Sequence, residues 1–251
     1  EMCIRDRSEL YPDLPDHVFH SLDFLIEVMI GYGLAYQEHQ TLRGIQQEIK
    51  SEIEIAANVQ QTLLETKIPK VEALEIGAVS VPAKQMSGDY YHFVRDKESI
   101  NIAIADVIGK GIPAALCMSM IKYAMDSLPD SGTSPSQVLK NLNRVVEQNV
   151  DPSMFITMFY GNYHLQKHLF TFSSAGHEPG FYYSCRENKF YDLNAKGLVL
   201  GISSQYDYEQ YEQKLDIGDM IVLFSDGVTE CRTDSGFLER SDLSLIHISE
   251  P

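Results

Sequence analysis

The chain has 251 residues, 44% of them hydrophobic, which suffices for one substantial domain and a smaller element. Its formal net charge of −16 disfavours binding to nucleic acid or to an anionic membrane, and it suits divalent cations or basic protein surfaces better. The four cysteines are scattered without a CxxC pair, as is typical of reduced thiols. Since we find no signal peptide and no apolar run long enough to span a membrane, we expect a cytoplasmic protein.

The chain opens with a helical pattern from Pro15 onward. Six residues recur there at a spacing that places them on one face of a helix: Phe19, Leu22, Ile26, Met29, Ile30 and Gly33. A single helix with such a face is not stable alone, because the apolar surface must be removed from water. We expect it to pack on the rest of a bundle or on a partner, or else to dock on the main domain.

A second helical pattern covers residues 42–63, where apolar residues alternate in steps of three and four with one polar break at Glu52. This seam comprises Leu42, Ile45, Ile49, Ala56, Val59 and Leu63. It indicates either a parallel dimeric coiled coil or an amphipathic helix that lies on its own domain. Pro69 closes the segment and places a domain boundary near residues 65–70.

The remainder of the chain reads as strands, then two adjacent helices, then strands again. Strands are predicted near 74–82, 89–95, 100–105, 155–165, 169–175, 181–184, 189–193, 209–215 and 220–225, and helices near 113–127 and 134–149. This order lacks the βαβα alternation of a parallel sheet. It predicts an α/β (α+β) sandwich of antiparallel sheets flanked by helices.

Two aspartates are predicted to meet at one end of a hairpin. Asp89 and Asp106 are equidistant from the polar turn at residues 96–99, so they should face each other across antiparallel strands. A third acid, Asp226, ends the apolar stretch 220–225 and precedes a glycine. Each acid could serve as a turn or capping residue, but opposed carboxylates repel each other, and a divalent cation is the simplest compensation.

Four ordered motifs carry a resemblance to a known family: GDYY at 88–91, ADVIGKG at 105–111, AGHEP at 175–179 and FSDGVTE at 224–230. They resemble the metal-dependent PPM-type protein phosphatases, in particular the SpoIIE-like bacterial branch of sporulation and stress-response phosphatases. The resemblance covers about residues 70–240. Upstream, residues 19–64 resemble the regulatory helix and linker of stress-response members.

The resemblance implies a domain organisation. Residues 1–41 would be the remnant of an N-terminal helical regulatory domain, residues 42–68 a helical coiled-coil linker, and residues 69–251 the phosphatase domain without its C-terminal end. The first nine residues and the last eight look out of place and resemble read-through into sequencing-adapter DNA. We therefore expect a chain truncated at both ends.

The resemblance also implies a function. The protein would be a metal-dependent protein serine phosphatase that removes phosphate from the phosphoserine of an anti-anti-sigma protein and so activates a general stress sigma factor. An activator protein would bind the N-terminal helical domain. The linker helices would then pair into a homodimer, and the switch helices of the catalytic domain would shift to complete the metal site.

The family's metal ligands transfer onto matching positions of this sequence. Asp106 would bridge two Mn²⁺ or Mg²⁺ ions, the carbonyl of Val107 would complete the first metal's shell, Asp89 would hold water there, and Asp226 would ligate the second ion. Hard cations favour these oxygen ligands. The family's last ligand, an Asp in a D-D-[FM]-T motif, is missing from the sequence. We therefore expect this chain to be weakly active or inactive.

Further residues of the motifs have weaker predictions. His177 is interpreted as a structural hydrogen-bonding residue, because an oxygen-rich site for these ions does not require imidazole. Lys84, Ser87 and Lys110 are positioned to meet substrate phosphate, although lysines more often remain solvated.

Two other functions compete with the phosphatase. A pseudo-phosphatase would bind partners through the helix and linker without catalysis. Asp89, Asp106 and Asp226 argue against it, and the missing fourth acid favours it only if the C-terminus is native. A phosphoacceptor receiver domain also gathers acids at strand ends, but it would need βα alternation and a lysine after a late strand. The mainly antiparallel pattern speaks against the receiver domain.

Overall fold

The computed structural model describes residues 15–64, 67–72, 74–81, 86–109, 111–128, 132–233 and 236–237. Contacts between residues divide the chain into two compact units, Glu1–Ala56 and Ala57–Pro251. The division falls inside helix α1 (Asp16–Leu64), which continues without a break through the predicted linker. The predicted domain boundaries stay predictions.

Much of the apolar surface of α1 is exposed. This holds for Leu22, Ile26, Met29 and Ile30 of the predicted N-terminal face. The side chain of Phe19 is not among those that the structure describes. In the predicted seam, Leu42, Ile45, Ile49 and Val59 are exposed, whereas Ala56 and Leu63 are half-buried. Among the described helices, none combines the length and the apolar character that crossing a membrane requires.

The second unit contains a large antiparallel sheet. Its strands are β1 (Asp89–Arg95), β2 (Ser99–Ile108), β3 (Phe155–His164), β4 (Leu169–Ala175) and β7 (Tyr211–Lys214), in the order β1-β2-β3-β4-β7. The predicted hairpin of β1 and β2 is present, and its register pairs Asp89 with Asp106. β2 runs two residues beyond Asp106, so this acid lies within the strand near its end.

A small sheet and a short hairpin accompany the large sheet. The strands β5 (Gly180–Ser184), β6 (Lys189–Leu193) and β8 (Met220–Val222) form an antiparallel sheet in the order β6-β5-β8. Helix α4 (Asp226–Thr229) follows, and then β9 (Arg232–Thr233) pairs with β10 (Gly236–Phe237).

Two helices pack on one face of the large sheet. Helix α2 (Ile112–Asp126) begins after Gly111, whose φ of 76° favours glycine, and helix α3 (Pro135–Asn149) begins after Ser134, whose hydroxyl accepts a hydrogen bond from the Gln137 amide. Both helices close over one buried cluster with the sheet; among its members are Ala105, Val107, Met118, Ile121, Leu139, Leu142 and Met158.

The other face of the large sheet packs against the small sheet. Phe159, Phe170 and Phe172 form the centre of this second cluster, together with Ile102 and Ile104 from β2 and residues of the small sheet such as Ile221. Stacked aromatic rings in this cluster lie 5.3–6.3 Å apart. The layers are therefore helices, large sheet and small sheet, and the predicted α+β sandwich is confirmed.

One predicted strand is wrong within the described residues. Residues 75–81 form no strand, and the nearby pairing is an isolated bridge between Val71 and Leu74. Val79 and Val81 are each 83% exposed. An alternating pattern forms a strand when a neighbouring strand completes its hydrogen bonds, and the described part of the chain provides none here.

The last turns of α1, from Ala57 onward, belong to the second unit and are held there by Gln60, which is 6% exposed. Its side-chain amide donates to the carbonyl of Ser87 at 2.9 Å and to that of Ala115 at 3.3 Å, and its carbonyl accepts from the Ser87 amide at 3.3 Å. Leu64 packs nearby against the helix-side cluster. The end of α1 thus contacts the segment before β1 and the first turn of α2.

We predict that Gln60→Ala lowers the free energy of unfolding of the second unit by about 1–3 kcal/mol, because buried backbone groups lose their partners. The exposed neighbour provides a matched control, and Gln61→Ala should change stability by less than about 0.5 kcal/mol. Urea unfolding of both variants measures the difference. Equal stability of the two variants would contradict the role given to Gln60.

Candidate metal centre

The pairing of strands places three polar residues side by side on one face of the large sheet. Asp106 pairs with Asp89 on β1 and with Thr157 on β3. Directly paired residues share a face, and residues two apart along a strand do as well. Asp106 is therefore in phase with Ile104, which packs toward the small sheet. The row Asp89, Asp106 and Thr157 lies at the edge of the space between the sheets.

The third acid reaches this edge from the other sheet. Asp226 begins α4, a few residues after β8 of the small sheet. One carboxylate oxygen each from Asp89, Asp106 and Asp226 lies within 4.8 Å of the others. The sequence thus predicted a cluster of three acids that the structure does bring together.

Mutual repulsion and burial change how these acids bind protons. Burial, and then the neighbouring charges of Asp89 and Asp226, raise the pKa of Asp106 from 3.8 to about 7. Desolvation also raises the pKa of Asp226, with further contributions from Glu230, Asp89 and Glu178. A cluster that resists full ionisation gains most from a bound cation, because the cation compensates the charge.

The backbone at Gly88 passes close to two oxygen atoms of β2. A Cβ atom on Gly88 would lie 3.3 Å from the carbonyl oxygen of Val107 and 3.4 Å from Oδ1 of Asp106. A side chain at position 88 would therefore crowd both oxygens. Carboxylate and carbonyl oxygens are the donors that Mn²⁺ and Mg²⁺ prefer, so the residues present fit such ions.

Two serines hold Asp89. The hydroxyl of Ser225 donates to Oδ2 of Asp89 at 2.9 Å, and the hydroxyl of Ser87 accepts from the Asp89 amide at 3.0 Å. Ser87 was predicted as a phosphate contact, and the structure shows it between Gln60 and Asp89. Ser225 was not predicted as a site residue. Its position directly before Asp226 in the FSDGVTE motif was the signal that could have indicated it.

His177 makes the structural hydrogen bonds predicted for it. Its Nδ1 lies 2.9 Å from Oγ1 of Thr157, and its Nε2 lies 3.2 Å from the carbonyl oxygen of Phe224. Burial lowers the pKa of His177 to about 4, so the ring is neutral at pH 7. Thr157 stands outside the motifs, and nothing in its sequence context predicted its place beside Asp106.

Other predicted residues fall outside this cluster or outside the described part of the chain. Lys84 and Lys110 lie outside the described residues. Close to Asp226, the hydroxyl of Thr229 lies 3.4 Å from each of the two carboxylate oxygens of Glu178. Sequence reasoning passed over Glu178, although it belongs to the AGHEP motif.

Most of the second unit matches a known family of proteins. The family model described as Stage II sporulation protein E (SpoIIE) matches residues 96–250. The chain is 83% identical over 239 residues to the phosphoserine phosphatase RsbU of Bacillus subtilis, which covers 95% of this chain and 71% of that protein. The chain belongs to the SpoIIE-like PPM serine phosphatases. A second family model, the N-terminal domain of the phosphoserine phosphatase RsbU, matches residues 5–35.

The chain is also similar to a more distant protein in sequence and to two solved structures in fold. Protein IcfG of Synechocystis is 26% identical over 238 residues, covering 82% of this chain and 37% of that protein. The SiaA-PP2C domain of Pseudomonas aeruginosa has a TM-score of 0.61 at 16% identity, covering 76% of this chain and 78% of that one. The PP2C phosphatase domain of SpoIIE from B. subtilis, solved with a fragment of its regulatory domain, has a TM-score of 0.54 at 23% identity, covering 63% and 46%.

The acid cluster predicts an unusual dependence of stability on pH. Since Asp106 has a folded-state pKa of about 7 and an ordinary value of 3.8, the folded chain binds this proton more tightly than the unfolded chain. Without divalent cations, the contribution of Asp106 to the free energy of unfolding should therefore fall as the pH rises from about 4 to about 7, whereas His177, with its lowered pKa, contributes a rise over much of the same range. We predict that Asp106→Asn removes most of this fall and stabilises the metal-free chain at pH 8 by about 1–2 kcal/mol, after allowance for partial exposure.

Urea unfolding in a chelator across this pH range measures the effect. The exposed acid Glu212 on β7 supplies the control, and Glu212→Gln should follow the wild-type curve. An Asp106→Asn chain that unfolds more readily than wild type at pH 8 without metal would show that the acids do not oppose one another as described.

Proposed function

We propose that this chain is a metal-dependent phosphatase of the cytoplasm that removes phosphate from a phosphoserine of an anti-anti-sigma protein and thereby activates a general stress sigma factor. The observation that supports this most directly is the cluster of Asp89, Asp106 and Asp226 at the positions of the family's motifs. The 83% identity to a phosphoserine phosphatase supports the substrate class.

In this proposal, Asp89, Asp106, the Val107 carbonyl and Asp226 would hold two Mn²⁺ or Mg²⁺ ions. When bound, such ions supply a water of lowered pKa and a clamp for the phosphoryl oxygens. The assignment rests on the fit of the oxygen donors and on the charge that they concentrate.

The residues of the chain act on this site by position and charge. Asp106 contributes its negative charge once a cation lowers its raised pKa, and Ser225 orients the carboxylate of Asp89 by a 2.9 Å hydrogen bond. The sequence contains no cysteine in a C-x5-R loop, so a covalent phosphocysteine is not proposed. Water is the nucleophile in this mechanism, and the serine alkoxide is the leaving group.

Regulation is proposed to enter through α1. An activator protein would bind the N-terminal helical region, and two chains would pair along the seam of Leu42, Ile45, Ile49, Ala56, Val59 and Leu63. The exposure of most of the seam supports this, since exposed apolar residues at heptad spacing are suited to a partner helix. The hydrogen bonds of Gln60 support a route by which α1 would influence the acid cluster, because they join the end of α1 to Ser87 and to α2.

A pseudo-phosphatase that binds partners without catalysis is the second candidate. The D-D-[FM]-T motif, which would supply the family's last carboxylate for the proposed second ion, does not occur among the 251 residues given. The cluster of Asp89, Asp106 and Asp226 argues for the enzyme.

Phosphate release from a phosphoserine anti-anti-sigma protein tests the function, with and without Mn²⁺. The chain is assayed alone and joined to a C-terminal segment that carries the D-D-[FM]-T motif. We expect Mn²⁺-dependent release, strongest in the extended chain, and its loss in Asp106→Asn without unfolding. Wild-type turnover in Asp106→Asn would refute the role of that residue. Absence of release in every arm, with the activating partner present, would favour the pseudo-phosphatase.

The linker prediction has its own test. Lysines at Ile49 and Ala56 should abolish partner-stimulated phosphate release, because like charges would then face each other across the paired helices. Gln47→Lys adds a charge outside the seam and should leave stimulation intact. Undiminished stimulation in the Ile49→Lys and Ala56→Lys double variant would exclude pairing along this seam.

A further inference from the structure

We propose that His177 and Thr157 are positioning residues that hold the segment bearing Asp226 in place against the strand bearing Asp106. The inference rests on the proposed function, since it treats these two acids as metal ligands. It assigns a role to a buried histidine whose chemistry the proposed mechanism does not otherwise use.

The hydrogen bonds form a path between the two sheets. Thr157 on β3 pairs with Asp106 on β2 in the large sheet. Its hydroxyl oxygen lies 2.9 Å from Nδ1 of His177, and Nε2 of the same ring lies 3.2 Å from the carbonyl oxygen of Phe224. Phe224 stands two residues before Asp226, beyond β8 of the small sheet. The imidazole of His177 therefore links the backbone near Asp226 to Thr157, which is the strand neighbour of Asp106.

The chemistry of the ring determines the direction of each bond. A carbonyl oxygen accepts, so Nε2 of His177 carries the proton and donates to Phe224. In the neutral ring, Nδ1 then accepts from the hydroxyl of Thr157. That hydroxyl has one proton to give, and its distance to the carbonyl oxygen of Asp106 is accordingly longer, at 3.4 Å.

The backbone of His177 is also held. Its amide donates to the hydroxyl of Ser174 at 3.2 Å, and the residue is 6% exposed. With both ring nitrogens and the backbone amide engaged, the imidazole is fixed in orientation. A ring held in this way is suited to orienting other groups, and both of its nitrogens are already in use, so it is not a metal ligand.

The segment 224–226 is held from two sides. His177 binds the carbonyl at position 224, and the hydroxyl of Ser225 donates to Asp89 at 2.9 Å. Asp226 follows immediately, so its carboxylate depends on both contacts for its distance to Asp106. Groups that orient metal ligands from the outer shell usually contribute about 10–100-fold to metal affinity.

A merely structural histidine would give a different outcome. Removing its hydrogen bonds would then lower stability and leave the affinity for metal unchanged. The decisive quantity is therefore the dissociation constant for Mn²⁺, measured on the whole chain from the electron paramagnetic resonance signal of the free ion. This readout is independent of catalysis.

Three variants separate hydrogen bonding from packing. His177→Phe keeps an aromatic ring but removes both nitrogens. Thr157→Val keeps the shape of the side chain and removes the hydroxyl, whereas Thr157→Ser keeps the hydroxyl. Tyr163→Phe is the control, because it removes a 3.1 Å hydrogen bond to a different histidine, His168, at the far end of the hairpin of β3 and β4.

We expect His177→Phe and Thr157→Val to weaken Mn²⁺ binding about tenfold or more. Thr157→Ser and Tyr163→Phe should bind as wild type does. Activity of the weakened variants, where it is measurable, should recover as the Mn²⁺ concentration is raised. Circular dichroism confirms that each variant is folded, and the two Thr157 variants carry the test should His177→Phe fail to fold.

The outcomes distinguish failure of the positioning role from failure of the proposed function on which it rests. If folded His177→Phe, or Thr157→Val in its place, binds Mn²⁺ as tightly as wild type, the positioning role is wrong and the metal site stands. Equal weakening in Thr157→Ser and Thr157→Val would likewise overturn it, since the hydroxyl would then be irrelevant. If wild type itself binds no Mn²⁺, the proposed function fails first.

Discussion

The register of one antiparallel hairpin imposes the main constraint on this protein. Pairing β1 with β2 sets Asp89 opposite Asp106, on the face that packs toward the small sheet. Asp226 arrives from that sheet and completes a cluster within 4.8 Å. The apolar packing on both faces of the large sheet fixes the register, because a slip of one residue would turn Ile102 and Ile104 away from their cluster. The fold therefore enforces a charge repulsion that a cation relieves.

The groups around the cluster connect it to the rest of the molecule by two routes. On one side, Gln60 at the end of α1 binds Ser87, and Ser87 binds the backbone of Asp89. On the other side, Ser225 binds the carboxylate of Asp89. A shift of the α1 end would thus be felt at a proposed metal ligand through a short series of hydrogen bonds. Under the proposed function, these hydrogen bonds are the physical basis on which α1 would act on the metal ligands.

The sequence alone predicted the sandwich, its two covering helices and the meeting of the three acids. The sandwich, the helices and the pairing of Asp89 with Asp106 rest on local signals: apolar periodicity, a polar turn between strands, and the symmetric placement of the two acids about it. The place of Asp226 beside them was implied by the resemblance to the PPM phosphatases. Thr157 escaped prediction because its role comes from a neighbour on another strand. The role of Gln60, which lies between the seam positions Val59 and Leu63, also escaped prediction, because its hydrogen-bond partners lie far along the chain. The strand expected over 74–82 was wrong because alternation does not show whether a partner strand is present.

The central claim is that Asp89, Asp106 and Asp226 together hold divalent cations. Anomalous X-ray scattering from crystals of the chain grown with Mn²⁺ tests it most directly, with crystals of Asp106→Asn as the comparison. We expect manganese density in contact with the carboxylates of Asp106 and its two neighbours, and its loss or weakening in Asp106→Asn. Manganese bound elsewhere, or density unchanged by the substitution, would contradict the account.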